Sequence, residues 1–189
     1  MGPNDQPQPT QDRVTFGTAF EGLFRTYGPV LTDAALQRLL ELGVDPRKPF
    51  HAGYPSDRWH GSIRILAEEH HPSLAHLEGT REVGRAFMRG YMQTALGRSI
   101  FAMLRILGPL RSLRRMSRNF RTGDNFTETW LHEDAPGDVR LELNHAEVPA
   151  FIQGMLEQGL EGVGAQGSSV ELLSKPSDGH TAYRIRWKV

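Results

Sequence analysis

The hydrophobic period of this 189-residue chain changes at Gly123, and that change commits it to a mixed architecture. Up to Gly123 the apolar residues recur at helical spacing, whereas beyond it they first alternate, residue by residue, as in a strand with one buried face. A helical amino-terminal half followed by strands is the α+β pattern.

In the first half, Phe20, Leu23 and Phe24, then Leu31, Ala35, Leu39 and Leu42, give a helix in two pieces around Gly28-Pro29. Thr32 or Asp33 caps the second piece, and Gly43 ends it. Ser56-Asp57 opens a helix through about His70, with Trp59, Ile63 and Leu66 on one face, stopped by His71-Pro72. A longer pattern runs from about Thr80 to Leu107 with Gly84, Gly90 and Gly97 embedded, which predicts either close helix packing or a break. Gly108-Pro109 marks a boundary before a helix over Leu110 to Phe120.

After Gly123, residues 125–133 and 138–144 alternate around Pro136-Gly137 and predict a hairpin. Glu147-Val148-Pro149 opens an amphipathic helix. Strands over 169–174 and 182–189 flank the turn Pro176-Ser177-Asp178-Gly179. The expected fold is a helical amino-terminal half packed on a four-stranded antiparallel sheet of order β-β-α-β-β. Residues 1–12 hold three prolines and no large apolar residue after Met1, and are expected to be a disordered tail ahead of a single domain over 13–189.

Composition removes several kinds of chemistry. There is no cysteine, so disulfides, thiolate nucleophiles and Cys-bound zinc are absent. No signal peptide follows the start, and the longest apolar stretch, Ser99 to Leu110, is broken by Arg105; a cytoplasmic location without a membrane span is expected. Motifs for a serine nucleophile elbow, a zincin helix and a P-loop are missing. Gly162 to Gly167 matches GxGxxG, but a helix precedes it and a strand follows, the reverse of a phosphate site, so it reads as a helix exit. Glu68, Glu69, His70, His71 and His76 resemble a metal cluster, yet the spacing does not put two imidazoles on one helical face, and Pro72 interrupts it. Glu128 and His132 read as ordinary partners across the hairpin. A non-enzymatic module is therefore expected.

The net charge of zero hides a basic island. Residues 81–121 carry 10 basic and 1 acidic side chain, while residues 122–189 carry 5 and 11. Arg111, Arg114, Arg115, Arg118 and Arg121 share one arc of a helix, opposite Leu110, Leu113, Met116 and Phe120. Such a face attracts phosphates or an acidic protein surface; the competing reading pairs it with the chain's own acidic carboxy-terminal half. A second set of candidates is aromatic: Tyr54, Trp59, Tyr91 and Trp130 would line a small-molecule pocket between helices and sheet, or else supply plain core.

Several stretches resemble one family: Phe20-Glu21-Gly22-Leu23-Phe24, Tyr54-Pro55 with Trp59, Gly84 to Tyr91 with Leu96-Gly97-Arg98, Gly108-Pro109, Phe120 to Asn125, and Tyr183 to Trp187. It is an uncharacterised paralogous family of myxobacterial proteins of about this length. The resemblance spans nearly the whole chain after residue 12. At the level of fold, the carboxy-terminal β-β-α-β-β more distantly resembles four-vinyl-reductase, haem nitric-oxide-binding and Golgi-transport ligand-binding domains. Tyr54-Pro55-Ser56-Asp57-Arg58 is similar to the YxSxR motif that holds haem propionates in the second of these. There the iron-ligating His lies well upstream of the motif, and His51 is the only upstream His here, so no cofactor is expected. These readings imply a sensory or signalling module for an unidentified small molecule. The alternative is an adaptor that uses the arginine face to bind an acidic protein or a second copy of itself, without specific nucleic acid.

Overall fold

A computed structural model describes residues 13–115, 118, 120–173 and 180–189. Residues 1–12, Met116 and the turn at 176–179 lie outside the described set. Two three-residue strands, β1 (Val14–Phe16) and β2 (Gly53–Pro55), pair antiparallel and aim the first and third helices into a common core. Each is too short to show a period, and neither was visible in the sequence.

Helix α1 (Gly17–Tyr27) leads through a short 3₁₀ turn (Gly28–Val30) to α2 (Asp33–Glu41). Thr32 Oγ1 accepts from Ala35 N at 3.2 Å and caps α2; Gly43 follows it at φ 80°. Helix α3 (Ser56–His70) matches its expected limits. The long glycine-bearing pattern divides at Thr94 into α4 (His76–Gln93) and α5 (Ala95–Arg114), with Thr94 Oγ1 capping α5 by accepting from Gly97 N at 3.0 Å. Both outcomes allowed for these glycines occur. Gly84 and Gly90 are close crossings, and Gly97 belongs to a break, where an added Cβ would fall 1.8 Å from the Tyr91 carbonyl oxygen.

The expected boundary at Gly108-Pro109 holds: two helical pieces meet there across a kink within the span of α5. Gly108 has φ 76° and ψ 174°, and Pro109 contributes no N–H to the helix. Ser112 Oγ bridges the kink, donating to the Gly108 carbonyl at 2.7 Å and lying 3.2 Å from that of Leu104.

The second half forms one antiparallel sheet of order β3-β4-β6-β5, from β3 (Thr129–Ala135), β4 (Asp138–Leu143), β5 (Ser169–Leu172) and β6 (Thr181–Arg186). The first two are joined through Gly137 at φ 74°. Helix α6 (Pro149–Gly162) covers the sheet. The described residues thus form six α-helices, mostly amino-terminal, and a four-stranded carboxy-terminal sheet, as the periods required. Tyr183 and Ile185 are fully buried on the central strand β6, and the Tyr183 hydroxyl donates to the Pro149 carbonyl at 2.9 Å. Val189, inside the strand expected over 182–189, lies past the strand end and is 93 % exposed.

Helix α6 joins two apolar clusters. Phe151 and Met155 pack into the helical core with Phe20, Trp59, Val83 and Phe87, while Leu156 and Leu160 pack onto Val139, Leu141, Tyr183 and Ile185 of the sheet. The α4–α6 crossing is so close that a Cβ on Gly84 would sit 2.0 Å from the Phe151 carbonyl oxygen. One on Gly154 would sit 1.9 Å from that of Arg81.

Candidate functional site

Where α4 and α6 touch backbone to backbone, α5 does not follow. Between α5, the inner ends of α4 and α6, and the 120–127 segment there is a cavity of about 160 Å³. Its body is apolar, with Phe87, Tyr91, Phe101, Leu104, Phe120 and Phe151 among its walls. The aromatic contacts that shape one wall are edge-on or tilted: Trp59 to Phe87 at 5.6 Å, Trp59 to Phe151 at 5.6 Å and Phe87 to Phe151 at 5.4 Å between ring centroids.

One end of the cavity is polar, lined by Thr15, His60, Asp124, His145 and Glu147. These come from four separate parts of the chain. β1 supplies Thr15, which faces Asp124 across an isolated bridge; α3 supplies His60; and the loop ahead of α6 supplies His145 and Glu147. The Asp124 carboxylate accepts from Phe126 N at 3.0 Å, Thr127 N at 2.8 Å and Thr127 Oγ1 at 2.7 Å. Burial nevertheless raises its pKa, outweighing those bonds.

His145 Nε2 lies 2.6 Å from Arg13 Nη1 and 2.9 Å from Glu147 Oε1, so it accepts from Arg13 when bare and donates to Glu147 when protonated. His60 Nδ1 rests against Glu147 Oε2 in ion-pair contact but outside hydrogen-bond geometry. Burial lowers the His60 pKa despite the attraction of Glu147. Burial pushes Glu147 the other way, but the hydrogen bond with His145 and the nearby positive charges hold its carboxyl below the ordinary value. Thr15 is 3 % exposed, and its Oγ1 has no hydrogen-bond partner among the described residues.

The structure divides the aromatic candidates. Trp59 and Tyr91 line the cavity, and the Tyr91 hydroxyl lies 3.3 Å from Thr122 Oγ1. Tyr54 does not line it; the ring is buried 4.5 Å from that of Phe20, and its hydroxyl accepts from His51 N at 3.1 Å. Trp130 lies on the outer face of β3, stacked on His180 at 5.7 Å. The YxSxR-like residues therefore form no cradle: Ser56 is buried at the start of α3, and Arg58 donates to the Gly43 carbonyl at 3.3 Å.

Arg111, Arg114, Arg115, Arg118 and Arg121 are exposed. Arg114 meets Glu133 at 2.7 Å and Arg121 meets Glu128 at 3.4 Å, so part of the face is paired with the acidic second half. Among the described residues no three His, Asp or Glu side chains gather as a metal site. Glu68 pairs with Arg38, and His71 lies 3.2 Å from the Tyr27 hydroxyl. His132 faces Glu142 across the hairpin at 3.7 Å, while Glu128 turns to Arg121.

The arrangement of helices over a four-stranded sheet is that of H-NOX domains. A doubly substituted Tt H-NOX domain superposes with a TM-score of 0.71 at 18 % identity, covering 92 % of this chain and 95 % of that one. An oxygen-binding H-NOX domain related to soluble guanylate cyclases gives 0.64 at 20 %, covering 92 % and 93 %. A protein described for haem redox potential modulated by porphyrin distortion also gives 0.64 at 20 %, with the same coverage. The likeness drawn from sequence as a distant one thus extends over nearly the whole chain. No curated protein sequence matches it. The chain belongs to the family described as protein of unknown function (DUF2378), whose pattern it matches over residues 13–188.

The expectation of no cofactor is corrected by these neighbours, which include a haem protein by description and an oxygen-binding domain. Its premise was faulty as well. It measured histidines against Tyr54–Arg58, and those residues lie away from the cavity.

Proposed function

We propose that this chain is a ligand-binding sensory module whose ligand enters the apolar cavity between α4, α5 and α6. The observation that supports it most is the cavity itself. A well-packed interior holds few voids larger than a water molecule, yet here an apolar space of about 160 Å³ persists beside a helix crossing closed to backbone contact. A space near 150 Å³ lined by Leu, Ile and Phe stays dry and accepts benzene.

Haem is the occupant that the H-NOX likeness brings forward. The residues as they stand do not fit a porphyrin: the space is on the scale of one benzene ring, and the two imidazoles at its edge are held against Glu147. A macrocycle would need the α5 wall to move outward. Among the described residues, no helix is long and apolar enough to cross a membrane.

Native mass spectrometry of freshly purified protein, with an absorption spectrum before and after adding haem, tests the proposal. A retained small molecule or a stoichiometric Soret band, either one lost on filling the cavity with Met88→Trp, supports it. Protein that retains nothing, takes up no haem and melts identically with and without saturating toluene contradicts it.

A second reading is favoured by the outer surface of α5. Ile106 is 87 % exposed and Met103 41 % exposed, beside Arg105, Arg111 and Arg115 in a stretch, residues 83–123, without one acidic side chain. This surface is complementary to an acidic protein carrying apolar residues, and it extends the arginine face proposed from sequence. A salt-sensitive interaction with an acidic amphipathic peptide, abolished by Arg111→Glu with Ile106→Ser, is the expected result; binding unaffected by both changes contradicts it.

A further inference from the structure

We infer that the cavity selects a small neutral aromatic molecule bearing one hydroxyl or amine, held with its ring among Phe87, Phe101 and Leu104 and its polar group at Thr15. The inference rests on the ligand-binding reading and adds the ligand's chemistry. Two observations independent of the cavity's volume carry it.

The first is the state of Thr15. A buried hydroxyl without a partner is an expensive arrangement, and most buried polar side chains avoid it. Thr15 is 3 % exposed, lines the cavity, and its Oγ1 is unpartnered among the described residues. A ligand O–H or N–H reaching it would supply the missing hydrogen bond.

The second is the sign of the surrounding charge. The same end carries the Glu147 and Asp124 carboxylates. The nearby cations are already committed: Arg13 lies 2.6 Å from His145, 3.6 Å from Glu147 and 5.7 Å from the centre of the Phe126 ring, and Arg121, which acts on Asp124, pairs with Glu128. The two carboxylates favour a group that gives a proton to a hydrogen bond, and they repel an anion. A carboxylate on the same ring is therefore rejected, and a ring with no polar group leaves Thr15 unsatisfied.

Three compounds built on one benzene ring separate the terms: toluene, phenol and the somewhat larger benzoate. Titration calorimetry on the full chain should show phenol binding about fivefold or more tightly than toluene, the yield of about one net hydrogen bond, and benzoate not binding. Thr15→Val keeps the shape of a strand residue and should reduce phenol to the affinity of toluene without changing toluene. Thr15→Ser restores the hydroxyl and should recover most of the phenol preference. Equal binding of phenol and toluene, unmoved by Thr15→Val, overturns the inference while leaving the cavity as a ligand site. Benzoate binding as tightly as phenol also overturns it. If toluene and phenol both fail to bind, and the unsubstituted chain melts at the same temperature with or without either compound, the underlying ligand-binding reading falls too.

Discussion

Helices α4 and α5 are consecutive, similar in length and both rich in glycine, yet the protein uses them in opposite ways. Helix α4 is pressed on both sides. A Cβ on Gly90 would lie 2.2 Å from the Gly22 carbonyl oxygen of α1, and one on Gly84 2.0 Å from that of Phe151 on α6. Arg81 and Arg85 of α4 also close on the Glu157 carboxylate of α6, with Arg85 Nη2 at 2.7 Å. Helix α5 is bent at Gly108, where an added Cβ would meet nothing within 4 Å, and leaves Met103 and Ile106 in solvent. One helix is clamped and its successor is a wall. The difference shows that glycine in a helix has two separate structural meanings, a missing side chain at a crossing and a permitted backbone at a bend.

Substitution at the two kinds of glycine exposes that contrast. Gly84→Ala places a methyl group against backbone that cannot step aside, and we expect a loss of about 3 kcal/mol or an insoluble chain, read by urea unfolding. Gly108→Ala meets no neighbour, and its penalty is confined to a positive φ, about 1–2 kcal/mol, with the effect felt at the cavity rather than in the α4–α6 core. Equal losses at the two sites would remove the distinction.

Smaller changes follow at the joint and at the cavity's polar end. Tyr183→Phe deletes the hydrogen bond to the Pro149 carbonyl and should destabilise the chain by about 1 kcal/mol, because that carbonyl loses its side-chain donor. Acidification acts through His60. Its pKa is depressed in the folded chain, chiefly by burial, so the unfolded chain takes up a proton first as pH falls. The stability it contributes is present above the ordinary value of 6.5 and is lost progressively below it. The melting temperature should therefore fall from pH 7 to pH 5, and His60→Gln should flatten that fall; an unchanged slope would contradict the assignment. The lowered Glu147 pKa works in the same direction at lower pH, through the carboxylate range. Arg114→Glu, which breaks an exposed pair with Glu133, should change stability by no more than about 0.5–1 kcal/mol.

Much of the fold was legible because it is written in local patterns. The residues from Ser56 to His70 carry their own start, face and stop, and the hairpin around Gly137 is set by alternation and a turn residue. The order of elements followed from the change of period at Gly123 and its return to helical spacing at Pro149. The pairing of β1 with β2 was not legible, since three residues show no alternation and the partners are separated by two helices.

The site was legible only in part. Trp59 and Tyr91 could be nominated as pocket aromatics, but Tyr54 and Trp130 matched the same description and lie elsewhere. Thr15, His60, Asp124 and Glu147 carry no motif; they converge because β1, α3, the 120–127 segment and the entry to α6 meet at one end of a cavity. The YxSxR-like residues misled for the complementary reason, since a short match fixes spacing along the chain and says nothing of where the fold aims it.

Hydrogen exchange of the intact protein, with and without saturating phenol, tests the central claim most directly, because it reads the clamp and the wall in the same sample. If the cavity beside α5 is the ligand site, residues 95–107 should exchange faster than 81–90 in the free protein. On adding phenol, protection should rise in 95–107 and 155–163, with little change in 81–90. Phenol that leaves every segment unchanged, or protects only segments remote from the cavity, would contradict the account.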